Sequence, residues 1–185
     1  MHMAYNFSVF KDESKKILDW LQKELASIHT GKASPIVLDN ISIDSYGSYM
    51  PIKNIATVSI EDPKTLRIAP WDKQMIKEIE KAITQSNLGL SVVSDSDGVR
   101  VIFPMLTTEN REKLVKVLKT KLEDARINVR KAREEVQNDI EMKAKEGGFS
   151  EDDKFRAKEE LQKNVDTVNA DLESLFAKKE KEILG

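Results

Sequence analysis

Two runs of apolar residues at alternating four- and three-residue steps lie on either side of a Gly-Gly pair, and they restrict the possible folds more than any other feature. The first run reads Leu118, Leu122, Ala125, Val129, Ala132, Val136 and Ile140; the second reads Leu161, Val165, Val168, Leu172 and Leu175. Such spacing places one apolar stripe along a helix and makes it the seam of a helical pair. A helix from Thr108 to Lys145 would be about 57 Å long at about 1.5 Å per residue. Thr107 or Thr108 supplies a hydroxyl N-cap. Gly147-Gly148 ends this helix and Ser150 opens the next, with Asp152 and Asp153 in a first turn where the helix dipole favours anions. So short a connection forces the two helices to be antiparallel neighbours. A third stripe, Phe10, Ile17, Leu21, Leu25 and Ile28, spans Ser8 to His29 and stops at Thr30-Gly31. The three stripes bury one another best as a three-helix bundle. A dimeric coiled coil built on one seam would leave the first helix unexplained.

Between Pro35 and Pro104 the period changes. Ile41, Ile43 and Ser45 alternate with polar residues, as do the stretches 57–60, 66–69 and 99–103. Asp62-Pro63 and Asp97-Gly98 mark turns, Pro by fixing φ and Gly by supplying positive φ. One helix interrupts the strands, capped by Asp72 and burying Ile76, Ile79, Ala82 and Ile83. The reading is an α+β chain: a bundle from residues 1–31 and 105–185, with a small, β-rich α/β domain of residues 32–104 inserted between its first two helices. The leading Met1-His2-Met3 reads as a remnant of expression and is left out of the fold reasoning.

Little in the sequence points to catalysis. There is no Cys, which removes disulfides, zinc-thiolate sites and thiol chemistry. No apolar run approaches the roughly 20 residues that span a bilayer, and the N-terminus shows no signal pattern, so a cytoplasmic location is expected. Apart from His2 the one histidine is His29, read as a helix-end residue favoured by the dipole. Gly31-Lys32 lacks the second Gly and the preceding strand of a phosphate-binding P-loop. Asp95 and Asp97 resemble part of a calcium loop, but its terminal bidentate Glu is missing and a hairpin turn fits better. No metal or cofactor is implied, and the expectation is a protein that is not an enzyme.

Charge gives the positive indication. The formal net charge is −2, yet Arg111 to Arg133 holds nine basic and three acidic residues, +6, and Glu134 to Gly185 nine basic and fifteen acidic, −6. Segregation of this kind points to a local anionic partner. Arg126, Arg130 and Arg133 share one helix face, and Lys116 and Lys119 continue it, broken by Glu123. Each seam residue Ala125, Val129 and Ala132 immediately precedes an Arg, so the basic stripe turns away from the core. Like charges so spaced destabilise a helix by roughly 0.2–0.5 kcal/mol per pair. The planar guanidinium suits bidentate phosphate contacts. The plainer reading is a solvated helix face, in which Glu134 pairs with Arg130.

Several blocks together resemble the ribosome recycling factor family, from about Ile17 to Leu184. They are Thr30-Gly31-Lys32-Ala33-Ser34-Pro35 followed by Leu38 and Asp39, then Tyr46-Gly47, Lys81-Ala82-Ile83 and Ser86-Asn87-Leu88-Gly89-Leu90. Pro104-Met105-Leu106-Thr107 with Arg111, the run Ala125 to Arg130 through Arg133, and Lys179-Glu180-Lys181-Glu182-Ile183 complete the set. The sequence departs from the family pattern at His29, Lys32 and Glu134, where the family usually has arginine. The resemblance implies an L-shaped, monomeric, cofactor-free protein that binds the post-termination ribosome. With elongation factor G and GTP it would promote dissociation into subunits. It assigns ribosomal RNA binding to Arg111, Lys116, Lys119, Arg126, Arg130 and Arg133, on the large subunit. A hinge is expected at Gly31, Lys32, Ala33, Ser34, Pro35, Pro104 and Met105. The rival reading is a helical-bundle scaffold or chaperone-like module that binds protein and no RNA; it predicts large exposed apolar patches and little salt dependence.

Overall fold

The computed structural model describes residues 4–185, so the sequence reading of Met1-His2-Met3 lies outside the described residues. Along the chain come α1 (Ser8–Ala26), β1 (Ser42–Ser45), β2 (Ser48–Pro51), β3 (Ala56–Asp62), β4 (Thr65–Pro70), α2 (Ile76–Gln85), β5 (Ser91–Ser94), β6 (Val99–Ile102), α3 (Thr108–Lys145) and α4 (Glu151–Leu184). Two compact units divide them, one running to Leu25 and resuming over Val115–Gly185, the other covering Ala26–Leu114.

The first unit is built on helix seams. Along α3 the buried residues are Leu118, Leu122, Ala125, Val129, Ala132, Val136 and Ile140, the seven of the heptad reading. On α4 they include Leu161, Val165, Val168, Leu172 and Phe176. Phe176 replaces the expected Leu175, which is half-buried. A straight helix drifts against a 3.5-residue repeat, so a step of four keeps the seam turned inward. Buried Ser14 fills the seven-residue gap between Phe10 and Ile17 on α1; its hydroxyl donates to the Phe10 carbonyl at 2.7 Å, which satisfies it within its own helix. The helix ends at Ala26, three residues before His29. His29 therefore does not sit at a helix dipole; in the second unit its ring meets Phe103 edge-on at 6.0 Å.

The turn between α3 and α4 behaves as its residues dictate. Gly147 takes φ +79° and Gly148 N–H donates to the Lys143 carbonyl at 2.9 Å, closing α3 through a left-handed residue. Ser150 and Asp153 cap α4 reciprocally, each side chain accepting from the other's backbone N–H. Glu141 pairs with Lys154 at 3.0 Å and with Lys158 near this turn, and Arg126 reaches Glu173 farther along, the register of an antiparallel pair. The segment ahead of α1 also packs here: Tyr5 donates its hydroxyl to Asp139 at 2.6 Å, and Lys143 stands 4.8 Å over the Tyr5 ring.

In the second unit an antiparallel sheet runs β3-β4-β6-β5, with β1 and β2 forming a separate hairpin. Its core joins Leu66, Ile68, Val99 and Val101 of the sheet to Ile79 and Ile83 of α2, with Ile43 and Phe103. Asp72 accepts from Gln74 N–H at 3.0 Å, capping a 3₁₀ turn (Lys73–Met75) that leads into α2. Of the expected helix face Ile76, Ile79 and Ile83 are buried and Ala82 is half-buried. Two strands escape the sequence reading, β2 and β5. Ser91-Val92-Val93-Ser94 sets two apolar residues side by side, which hides a period of two.

Gly98 corrects the turn argument. It does not adopt positive φ; a Cβ there would stand 2.2 Å from the Ile68 carbonyl oxygen. Close approach of two backbones, not left-handed geometry, requires the glycine. Gly31 does take φ +82°, and a Cβ on it would stand 3.5 Å from the Pro104 oxygen. Ser34 is extended at φ −142° and ψ 122° ahead of Pro35, which opens a 3₁₀ turn. Ala33 N–H donates to the Pro63 carbonyl at 2.9 Å and Phe103 N–H to the Lys64 carbonyl at 2.7 Å. All seven residues of the expected hinge fall within the Ala26–Leu114 unit, with Lys32, Pro104 and Met105 exposed.

Candidate nucleic-acid interface

Because the α3 seam buries Ala125, Val129 and Ala132, the residue after each is carried about 100° around the helix, toward its outer side. Arg126 and Arg133 are half-buried and Arg130 is exposed. Arg126 is held by Glu173 of α4 and lies 3.9 Å from Glu123. Arg130 lies 4.0 Å from the same Glu123; Glu123 rather than Glu134 is its partner. Arg133 makes no ion pair or hydrogen bond to a described residue. The three arginines line one hollow of about 270 Å³ with Val129, Val165 and Asn169.

The remaining candidates disperse. Lys116 and Lys119 are exposed on the same helix. Arg111 stands in the first turn of α3, inside the second unit, and directs Nε at the Leu106 carbonyl at 3.4 Å. Lys121 is turned inward, pairing with Glu24 of α1 at 2.7 Å and lying 5.8 Å from the centre of the Trp20 ring. The structure thus brings together Arg126, Arg130 and Arg133 but not Arg111. Sequence reasoning missed Asn169 and Glu173. Both lie on the register of the antiparallel pair, and aligning the α3 and α4 seams would have placed them opposite the arginines.

A second arginine pair behaves differently. Arg67 of β4 and Arg100 of β6 stand directly opposite each other in the sheet register, a repulsive arrangement if left alone. Asp95 takes Arg67 in two hydrogen bonds of 2.6 and 2.9 Å, and Glu61 takes Arg100 Nε at 2.8 and 3.1 Å. Asp95 also accepts from the Asp97 and Gly98 N–H groups at 2.8 and 3.0 Å. The Arg67 guanidinium first, then the Asp97 amide, hold its carboxyl far below the usual carboxylate range. Here Asp95 and Asp97 close the hairpin, and among the described residues no cluster of acidic or histidine side chains could hold a metal ion. No helix of the described residues is long and apolar enough to cross a membrane.

Known proteins resemble the chain over most of its length. The family model described as Ribosome recycling factor matches residues 21–184. The ribosome-recycling factor of Thermotoga maritima is 41% identical over 174 residues, covering 94% of each chain. That of Anaeromyxobacter sp. (strain K) is 43% identical over 169 residues, covering 91% of this chain and 90% of its own. A solution structure of a ribosome recycling factor superposes with a TM-score of 0.75 at 36% identity, over 96% of this chain and 95% of that one. A T. thermophilus ribosome recycling factor, in a structure with E. coli elongation factor G bound to the E. coli post-termination complex, superposes at 0.65 with 37% identity over 97% of both chains.

Proposed function

The chain belongs to the ribosome recycling factor family, and on that premise we propose how its residues carry out the work. As a member of that family it is a non-enzymatic translation factor that acts in ribosome recycling. It binds the post-termination ribosome as a monomer in the cytoplasm. With elongation factor G and GTP it promotes separation of the subunits, the GTP being hydrolysed by the elongation factor. Arg126, Arg130 and Arg133 meet large-subunit RNA, with Lys116 and Lys119 extending the contact along α3 and Arg111 adding one near its start. The observation that carries this reading is the convergence of three arginines on one face of α3, with Arg133 engaged by none of the described residues. An unengaged guanidinium beside a seam is ready for phosphate at no cost in internal ion pairs.

Residues 1–31 and 105–185 form the anchoring bundle and residues 32–104 the part that elongation factor G displaces. The crossings at Gly31, Lys32, Ala33, Ser34, Pro35, Pro104 and Met105 absorb the dihedral change, since Gly31 already uses positive φ and the prolines restrict rotation around it. A splitting assay on post-termination ribosomes, run with and without elongation factor G, tests the whole reading. Into the cysteine-free chain a disulfide is introduced across the hinge, with one Cys in each unit. Oxidised, this variant binds ribosomes nearly as well as the wild type but splits them at least about tenfold more slowly, and reduction restores the rate. Full splitting by the verified cross-link would show that no swing is needed. Splitting that is the same with and without the chain would remove the function itself.

A further inference from the structure

The hollow beside the arginines has a composition that phosphate binding alone does not explain. Its floor is Val129 and Val165, both buried. Two carboxylates, Glu123 and Glu173, answer the three arginines at its edge, leaving about one net positive charge. A phosphate placed on that floor would lose water against two valines and approach Glu173. Asn169 of α4 completes the rim, and its side-chain amide makes no hydrogen bond to a described residue. An apolar floor, planar guanidinium walls and one free amide, which both donates and accepts, match a flat neutral group with a polar edge. We infer that this hollow receives one unstacked nucleobase of the large-subunit RNA, stacked against the arginine planes and held at its edge by Asn169, while Arg133 takes an adjoining phosphate. Unstacked bases are recognised in this way, on guanidinium planes and by amide pairing. This rests on the reading above, that the α3 face meets ribosomal RNA, and adds a base-specific contact from α4.

The salt dependence of binding separates base from phosphate. Asn169→Ala removes no charge, so its affinity for purified large ribosomal subunits falls about tenfold, and the plot of log affinity against log salt keeps its slope. Arg133→Ala makes that slope shallower. Asn169→Asp, nearly isosteric, brings a third carboxylate to the rim and also weakens binding. Base-specific chemical probing of the bound subunit shows one base protected by the wild type and exposed again with Asn169→Ala, while backbone protection along the face persists. Thermal melting of both Asn169 variants matches the wild type, because no internal hydrogen bond is lost. Undiminished affinity of Asn169→Ala, or a slope altered as by Arg133→Ala, overturns the base site and leaves the RNA-facing role intact. Absence of any binding by the wild-type chain overturns both.

Discussion

The arginines of the sheet and those of α3 are chemically the same and structurally opposite. Arg67 and Arg100 face each other across a strand pair, and Asp95 and Glu61 take up their hydrogen-bonding groups. Arg130 has one carboxylate at the limit of an ion pair, and Arg133 has none among the described residues. Neighbours, not residue type, decide whether a guanidinium supports the fold or stands ready for a ligand. In the sheet the acids come from β3, which reaches Arg100 across β4, and from the turn between β5 and β6. On α3 the acid within reach is shared, and α4 adds only Glu173. A charge cluster therefore says little until its partners are counted.

Substitution can break that contrast. The largest effect is expected for Arg130→Ala combined with Arg133→Ala. Ribosome affinity falls about a hundredfold at low salt and the salt slope becomes shallower by about one to two, with stability changed by less than about 0.5 kcal/mol. Filter binding across a salt series, alongside thermal melting, checks both; unchanged affinity would place these arginines with the structural ones. Arg67→Ala should do the reverse, leaving Asp95 with Arg100 at 3.7 Å. Melting of the sheet unit drops by a few degrees while ribosome affinity stays within about twofold. A variant that melts like the wild type would show the sheet cluster to be ornamental.

The smallest effect is a difference in acid response. Lys158, then Lys154, lower the Glu141 carboxyl in the bundle to about 2, and Asp95 in the sheet unit is lowered by Arg67. A carboxyl depressed in the folded state stabilises above its unfolded value, near pH 4. That contribution is lost as pH falls below this value. Trp20 reports on one unit and Trp71 on the other. Glu141→Gln should flatten the acid dependence seen by Trp20 alone, and Asp95→Asn that seen by Trp71 alone. Identical shifts in both signals would mean that the units respond to acid as one body.

The helices were legible because their seams repeat over many turns, so that α3 could be read to the residue. The exceptions have local causes. Leu175 gave way to Phe176 because helical drift accumulates, and His29 left its helix because α1 stops at Ala26. In the sheet unit β2 and β5 bury no residue fully, so no alternation marks them, whereas β1 and β6, equally short, alternate. Gly98 was located correctly and explained wrongly, since the approach of Ile68 is a tertiary fact. At the candidate interface the α3 residues were visible as a charge stripe. Asn169 was not, because an uncharged amide acquires meaning only when antiparallel pairing sets it against α3.

The two connections leading out of the sheet unit end on adjacent carbonyls, Ala33 N–H on Pro63 and Phe103 N–H on Lys64. Mechanically this is a shared anchorage. Tension applied through either connection reaches the same β3–β4 turn and passes into the ladder between those strands, so the two cannot be loaded independently. Both anchor points are main-chain oxygens, so the linkage makes no direct use of the Lys64 side chain and asks of position 63 only the φ that Pro63 fixes for the turn.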